Sequence, residues 1–266
     1  MLDRRTIVRR FAAALLALAA VAGANQARAD ALGDIMAAGV IKVAVPQDFP
    51  PFGSVGADMT PVGYDIDVAD LIAQKLGVSL ELVPVTSANR IPYLQTKKAD
   101  LVISTLGKNP EREKVIDFTI AYSPFFQAVF AAKGTAIKGP ADLAGKTVSV
   151  TRGAIEDMEL TKIAPPTADI KRFEDNNATV SAFVSGQVQA IATGASVAGN
   201  MMGRNPQLGT EFKFVLKDSP NFIGVAKGED KLRLKVNEII AAAKASGDLD
   251  KMAMKWLGRP AGDLPN

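Results

Sequence analysis

The sequence contains no cysteine and no histidine among its 266 residues. No disulfide can staple the fold, so its stability has to come from an apolar core. The missing imidazole excludes His-based catalytic triads, His-ligated zinc and a histidine pH switch within this chain. An enzyme built on it would work with Asp, Glu, Lys, Arg, Tyr, Ser or Thr. Neither a metal nor a cofactor is expected.

A basic surplus is also missing once the N-terminus is set aside. The first 29 residues hold five of the 31 Lys and Arg and one of the 28 Asp and Glu, which leaves 26 basic against 27 acidic residues and a net charge of −1. With no surplus to neutralise phosphates, a nucleic-acid partner is not expected. No segment beyond residue 29 approaches 18 consecutive apolar residues, so no membrane span is expected there and the remainder should be soluble.

The N-terminus itself reads as an export signal. Arg4, Arg5, Arg9 and Arg10 precede an apolar run of 13 residues, Phe11 to Gly23, and Ala27-Arg28-Ala29 matches an A-x-A cleavage site before Asp30. The run is too short to span a bilayer. The stretch Asp3 to Arg9 also loosely fits a twin-arginine signal. Residues 1–29 are therefore expected to be a signal peptide removed on the way to the periplasm. The 237 residues that follow are enough to bury a large core.

Hydrophobic periodicity then alternates between strand and helix. Strands are expected at residues 41–45, 80–85 and 101–105, with helices at 64–76 and 89–96 and a Pro/Gly-rich loop, "PQDFPPFGSVGADMTPVG", after the first strand. Residues 127–132 read as a strand leaving this unit, and the pattern restarts after the glycine-rich joint "KGTAIKGPADLAGK". In the second unit strands are expected at 147–151, 170–173, 189–193 and 212–216, with helices at 155–163, 177–185 and 195–202. A strand at 222–226 and two amphipathic helices, 231–245 and 249–257, close the chain. Such alternation predicts βαβ units and largely parallel sheets, which bind ligands beyond the carboxyl ends of their strands.

The segment "ISTLGKNPEREKV" carries the first candidate site. Ser104 and Thr105 fall at the carboxyl end of a strand, Asn109 suits an N-cap, and Pro110 suits the first helical position. Arg112 in the first turn opposes the helix macrodipole, where Glu111 and Glu113 are favourable. Either it grips a carboxylate in bidentate fashion, or it is a solvated surface residue pairing with Glu113 or Asp117. Tyr64, Asp65 and Asp67 read as helix-start residues, and Trp256 as a packing anchor.

Five stretches in order, "PQDFPPFG", "PVGYDIDVADLIAQKLG", "NRIPYLQTKKADLVIST", "NPEREKVIDFT" and "ADLAGKTVSV", resemble the family 3 type of periplasmic solute-binding proteins that feed ABC transporters for polar amino acids. The resemblance runs from Ile41 to Leu257. It implies an α/β, two-lobed type II periplasmic binding protein fold, two open sheets joined by a two-stranded hinge. Lobe 1 would comprise residues 30–132 and 220–266, and lobe 2 residues 133–219. By the same resemblance, Arg112 would clamp the ligand α-carboxylate with help from Thr105 and neighbouring amides, and Phe49 and Phe52 would form an apolar wall. The turn Thr151 to Glu156, through Arg152, Gly153, Ala154 and Ile155, would offer backbone amides from the second lobe. Arg90 in "TSANRIP" is similar to a subgroup that takes glutamate and aspartate, where it lies near the side-chain carboxylate.

Two departures bear on the ligand. Gly107 stands where the family usually has Ser or Thr, and Gly194 stands where it usually has an Asp for the ligand ammonium. Either Glu156 or Asp157 replaces that Asp, or the ligand has no ammonium. Arg90, Arg112 and Arg152 at one cleft would favour a dicarboxylate and repel a cation. The expected function is the substrate-binding component of an ABC uptake transporter. It would be a monomer that is not an enzyme, presenting a small carboxylate, first of all an acidic amino acid, to a membrane permease. The alternatives are an amine-free dicarboxylate as ligand, a dehydratase-like enzyme on the same fold with Glu156 or Asp157 as general acid, and a sensor delivering its closed form to a receptor.

Overall fold

A computed structural model describes residues 30–265, so the signal-peptide reading of 1–29 lies outside the described residues. A helix, Ala31–Ala38, precedes strand β1 (Val40–Val45). The Pro/Gly-rich stretch expected to be loop carries β2 (Asp48–Phe49), β3 (Gly53–Val55) and β4 (Pro61–Val62), which pair as a small antiparallel sheet. Helix Tyr64–Leu76 begins and ends where its periodicity predicts. Gly77 closes it in the left-handed region, with Gly77 N–H donating to Gln74 O and Val78 N–H to Ala73 O.

The chain continues through β5 (Ser79–Pro84), helix Arg90–Gln95, β6 (Leu101–Leu106), the short helix Pro110–Glu113 and β7 (Ile116–Ser123). It then enters β8 (Phe126–Ala132), β9 (Thr147–Thr151), helix Ile155–Ile163, β10 (Asp169–Phe173), helix Asn176–Val184, β11 (Ala190–Gly194) and helix Ala195–Arg204. β12 (Thr210–Asp218), β13 (Asn221–Ala226) and helices Asp230–Ser246 and Asp248–Leu257 complete it.

Two five-stranded sheets result, in the orders β5-β1-β6-β13-β7 and β10-β9-β11-β8-β12. They are less parallel than alternation predicts. β1 runs parallel to β5 and β6, and β9 to β10 and β11, but β13 and β8 pair antiparallel with their neighbours. The cause is direct passage between sheets, since β7 leads into β8 and β12 into β13 without a crossover helix. The expected boundary after residue 132 is corrected accordingly. β8 is hydrogen-bonded to β11 and β12, so the chain crosses at Pro124-Phe125 and returns at Ser219-Pro220. Ser219 N–H donates to Phe125 O across the two passages at 3.2 Å. The prolines cannot donate to a ladder, which suits them to these breaks.

Helices cover both faces of each sheet. In β1, Val43 joins the cluster under helices Tyr64–Leu76 and Asp230–Ser246, while its neighbour Ala44 joins the cluster with Leu94 and Phe118, as strand periodicity requires. In the second sheet Val148, Val150 and Leu160 fill one face, and Phe130, Phe183 and Met201 the other. Burying each large apolar side chain stabilises the fold by roughly 1.5–3 kcal/mol. Among the described residues, no helix is long and apolar enough to cross a membrane.

The carboxyl ends of the parallel strands meet. A Cβ built on Gly107, just after β6, would lie 3.3 Å from Ile155 Cγ1. Asp48 Oδ2 accepts the Asn176 N–H at 2.6 Å, and Asn109 Nδ2 donates to Met158 Sδ at 3.3 Å.

Candidate ligand site

The first wall is built at the end of β6. Thr105 has φ 43°, which for a β-branched residue is a costly left-handed conformation. Its N–H donates to Asp65 Oδ2 at 3.0 Å, and the Tyr122 hydroxyl donates to Asp65 Oδ1 at 2.7 Å. Asp65 lies in the first turn of helix Tyr64–Leu76, as expected, but as a fully buried carboxyl and not as a cap. Asp67 faces outward and accepts from Lys255 and Trp256, which anchors the last helix as expected of that tryptophan.

Burial pushes the Asp65 carboxyl up to about 7, against the opposing effects of the Tyr122 hydroxyl, the Thr105 amide and Arg90. A carboxyl whose folded pKa lies above its unfolded value holds its proton more tightly when folded. Stability therefore falls as pH rises from about 4 to about 7 through this group. Asp65→Asn is expected to flatten that part of the melting-temperature profile, and an unchanged slope would show that Asp65 titrates normally.

Arg90 and Arg112 are 3% and 4% exposed. Arg90 donates from Nε to Ser87 O and from Nη1 to both Ser104 O (2.6 Å) and Thr105 O (3.2 Å). Arg112 stands where Asn109 caps its N–H, and its side chain joins the two sheets: Nη1 donates to Gly107 O at 2.7 Å and Nη2 to Gly153 O at 2.9 Å. Arg90 Nη2 and Arg112 Nε have no hydrogen-bond partner among the described residues. Burial lowers both guanidinium pKa values, and for Arg112 the neighbouring Arg90 charge adds to it.

The second wall is the turn after β9. Gly153 (φ 71°) allows the turn to press on the chain before Arg90, since a Cβ there would lie 3.0 Å from Ala88 Cα. Ala154 and Ile155 are buried at the start of the following helix. Asp157 is already engaged, accepting from Arg172 Nε at 2.7 Å and from Gly153 N–H at 3.1 Å. Glu156, 5% exposed, receives no hydrogen bond from another of the described residues. Burial raises its pKa, while its own amide, Arg90 and Arg112 hold it down. Of the two acids the sequence leaves open, Glu156 is the one still available.

Two expected wall residues sit elsewhere. Arg152 turns outward and pairs with Glu174 at 2.7 Å, with half its side chain exposed. The three-arginine cleft is therefore a two-arginine one, because Arg152 lies on the solvent side of the turn that buries its neighbours. Phe52 is fully buried between Tyr64 and Phe125, a support behind the surface rather than the surface itself. Phe49 is 6% exposed and packs on both Phe52 and Phe125. At Gly194 a Cβ would clash with Phe125 Cζ, the tip of the ring. The missing Asp is thus matched by an aromatic ring in its place, and Phe125, from the first passage between sheets, is a site residue the sequence reading missed.

A cavity of about 300 Å³ opens beside this cluster, lined by Ser87, Arg90, Leu106, Arg112, Gly153 and Met158 among others. A larger one, about 470 Å³, lies along helices Asn176–Val184 and Ala195–Arg204 and touches neither arginine. The smaller is the candidate site, because it is lined by both buried guanidiniums. No cluster of acidic residues fit to hold a metal occurs among the described residues.

Residues 41–259 match the sequence family described as bacterial extracellular solute-binding proteins, family 3. The chain belongs to this family. Its relatives include the ABC transporter arginine-binding protein 1 of Escherichia coli K12, 30% identical over 83% of this chain and 91% of that protein. The ABC transporter glutamine-binding protein GlnH of Bacillus subtilis 168 is 28% identical over 94% and 95%. Among solved structures, an ancestral amino acid-binding protein described as a precursor of cyclohexadienyl dehydratase is 32% identical, with a TM-score of 0.78 over 85% of this chain and 99% of that one. The architecture is that of the type II periplasmic binding proteins, and a family 3 member is a binding component of ABC amino-acid transport.

Proposed function

We propose that this family 3 protein is a monomeric periplasmic receptor, not an enzyme, that captures a small acidic amino acid by lobe closure and delivers it to an ABC permease. Residues 1–29 direct its export. The observation that carries the reading is charge. Two buried guanidiniums share one cavity, and of the acids around them the two buried ones, Glu156 and Asp65, are held toward their neutral forms by burial, which leaves Asp48, Glu159 and the lining residue Glu111 to offset the arginines. That field attracts an anion and repels a cation, which sets this ligand apart from the arginine named for several relatives.

In the proposed pose Arg112 Nε and the amides after β6 take the α-carboxylate, Arg90 Nη2 takes the side-chain carboxylate, and Glu156 takes the ammonium. Phe49 and Phe125 cover the methylenes. Arg112 already bridges Gly107 and Gly153, so a ligand seated on it ties the two lobes together and favours the closed population. A second reading, an amine-free dicarboxylate, is supported by the Phe125 ring over Gly194, which leaves no carboxylate at that position.

Calorimetry on the chain from Asp30 onward, unfolded and refolded to strip carried ligand, tests both. The titrants are glutamate, aspartate, glutamine, arginine, glutarate and 2-oxoglutarate. Tightest binding of glutamate or aspartate is expected. Tight binding of the amine-free acids alone selects the second reading, and preference for arginine overturns both.

A further inference from the structure

We infer that Asp65 is a positioning residue for Arg90, acting through the left-handed turn at Thr105. The inference rests on the proposed role of Arg90 toward a second ligand carboxylate. In a regular strand successive carbonyls point to opposite sides. Yet Arg90 Nη1 bonds two successive carbonyls, Ser104 O and Thr105 O. Only a chain turned at Thr105 can aim both at one nitrogen, and Thr105 is turned, with φ 43°.

Threonine does not hold that conformation by preference, so something must supply the restraint. Asp65 does. Its carboxylate takes the Thr105 N–H, and its other oxygen is fixed by the Tyr122 hydroxyl. Tyr122 is itself held, because its carbonyl accepts the Tyr64 hydroxyl at 2.8 Å. The peptide of Thr105 is therefore gripped at its amide by Asp65 and at its carbonyl by Arg90. Removing the first grip frees the turn, and a relaxed turn presents only one carbonyl to the guanidinium. Arg90 then loses the two-carbonyl grip that fixes its guanidinium at the cavity wall.

The chain of contacts makes a specific prediction about glycine, which adopts positive φ without restraint. Asp65→Ala should weaken glutamate binding at least about tenfold and shrink the preference for glutamate over glutamine, which lacks the distal charge. Asp65→Asn keeps an oxygen for the Thr105 amide and should stay within a few fold. In a Thr105→Gly background, Asp65→Ala should cost far less than in wild type, because the turn no longer depends on the carboxylate. Arg90→Gln is the reference. If it leaves the glutamate preference unchanged, the role assigned to Arg90 fails and Asp65 has nothing to position.

With Arg90 upheld, an Asp65→Ala protein of unchanged preference overturns the inference, as does an equal loss in both Thr105 backgrounds. Should Asp65→Ala not fold, the double variant decides. A folded, glutamate-selective double variant supports the inference. An unfolded one overturns it, because the need for Asp65 then does not pass through Thr105.

Discussion

Arg112→Ala is expected to abolish measurable ligand binding. The residue is buried, its side chain joins the two sheets through Gly107 O and Gly153 O, and its Nε remains for a carboxylate. Truncating one partner of a buried, charge-assisted contact costs about 2–5 kcal/mol, and the upper part of that range is more than a thousandfold in affinity. The variant also loses the bridge that holds the two carboxyl edges together, so the closed form is less populated and apparent affinity falls further. Arg112→Lys separates the two effects. Lysine keeps the charge but cannot bond two carbonyls and a carboxylate with one planar fork, so it should fall between wild type and alanine. Both variants should fold, since deleting a desolvated charge removes a cost as well as contacts. Calorimetry with the tightest wild-type ligand is the measurement. Affinity for Arg112→Ala within a few fold of wild type would sink the carboxylate-clamp assignment.

Much of this site was legible because it depends on local order. Asn109, Pro110 and Arg112 carry their geometry in their spacing, and helix Tyr64–Leu76 is fixed by its apolar period and Gly77. What was not legible depends on which elements meet. Asp65 has the sequence context of a helix start, and only the approach of β6 and Tyr122 turns it into a buried acceptor. Arg152 and Glu156 lie four residues apart in one turn, yet one faces solvent and the other is buried where Arg90 and Arg112 act on it, a difference set by how the turn seats against Ala88. Phe125 has no motif of its own; the signal for it was Gly194, a position without a side chain that asks what fills the space. β7 was passed over because its residues do not alternate cleanly. Thr119 and Ser123 are buried beside Phe118 and Tyr122, as befits a strand that ends at a passage between sheets rather than at a solvent edge.

Glu156→Gln distinguishes the two ligand classes with opposite signs. Glu156 faces Arg90 and Arg112, with Asp157 beside it, and Asp157 is committed to Arg172. If the ligand carries an ammonium, its positive charge draws Glu156 to the ionised form and the two pair. Replacement by a neutral amide should then weaken glutamate binding by at least about tenfold, the low end for a lost charge-assisted hydrogen bond in a buried site. If the ligand has no amine, the same carboxylate repels it, and Glu156→Gln should tighten binding of glutarate or 2-oxoglutarate. The pH dependence carries the same information in the wild type. Burial raises the Glu156 pKa, so as pH falls the group takes up its proton earlier than an ordinary glutamate does. Amino-acid affinity should then decline on acidification, while affinity for an amine-free dicarboxylate should rise until the ligand itself protonates. Dissociation constants for both ligand types between about pH 5 and 8, in wild type and Glu156→Gln, give the answer. A variant that binds both types as wild type does, with an unchanged pH profile, would remove Glu156 from the site.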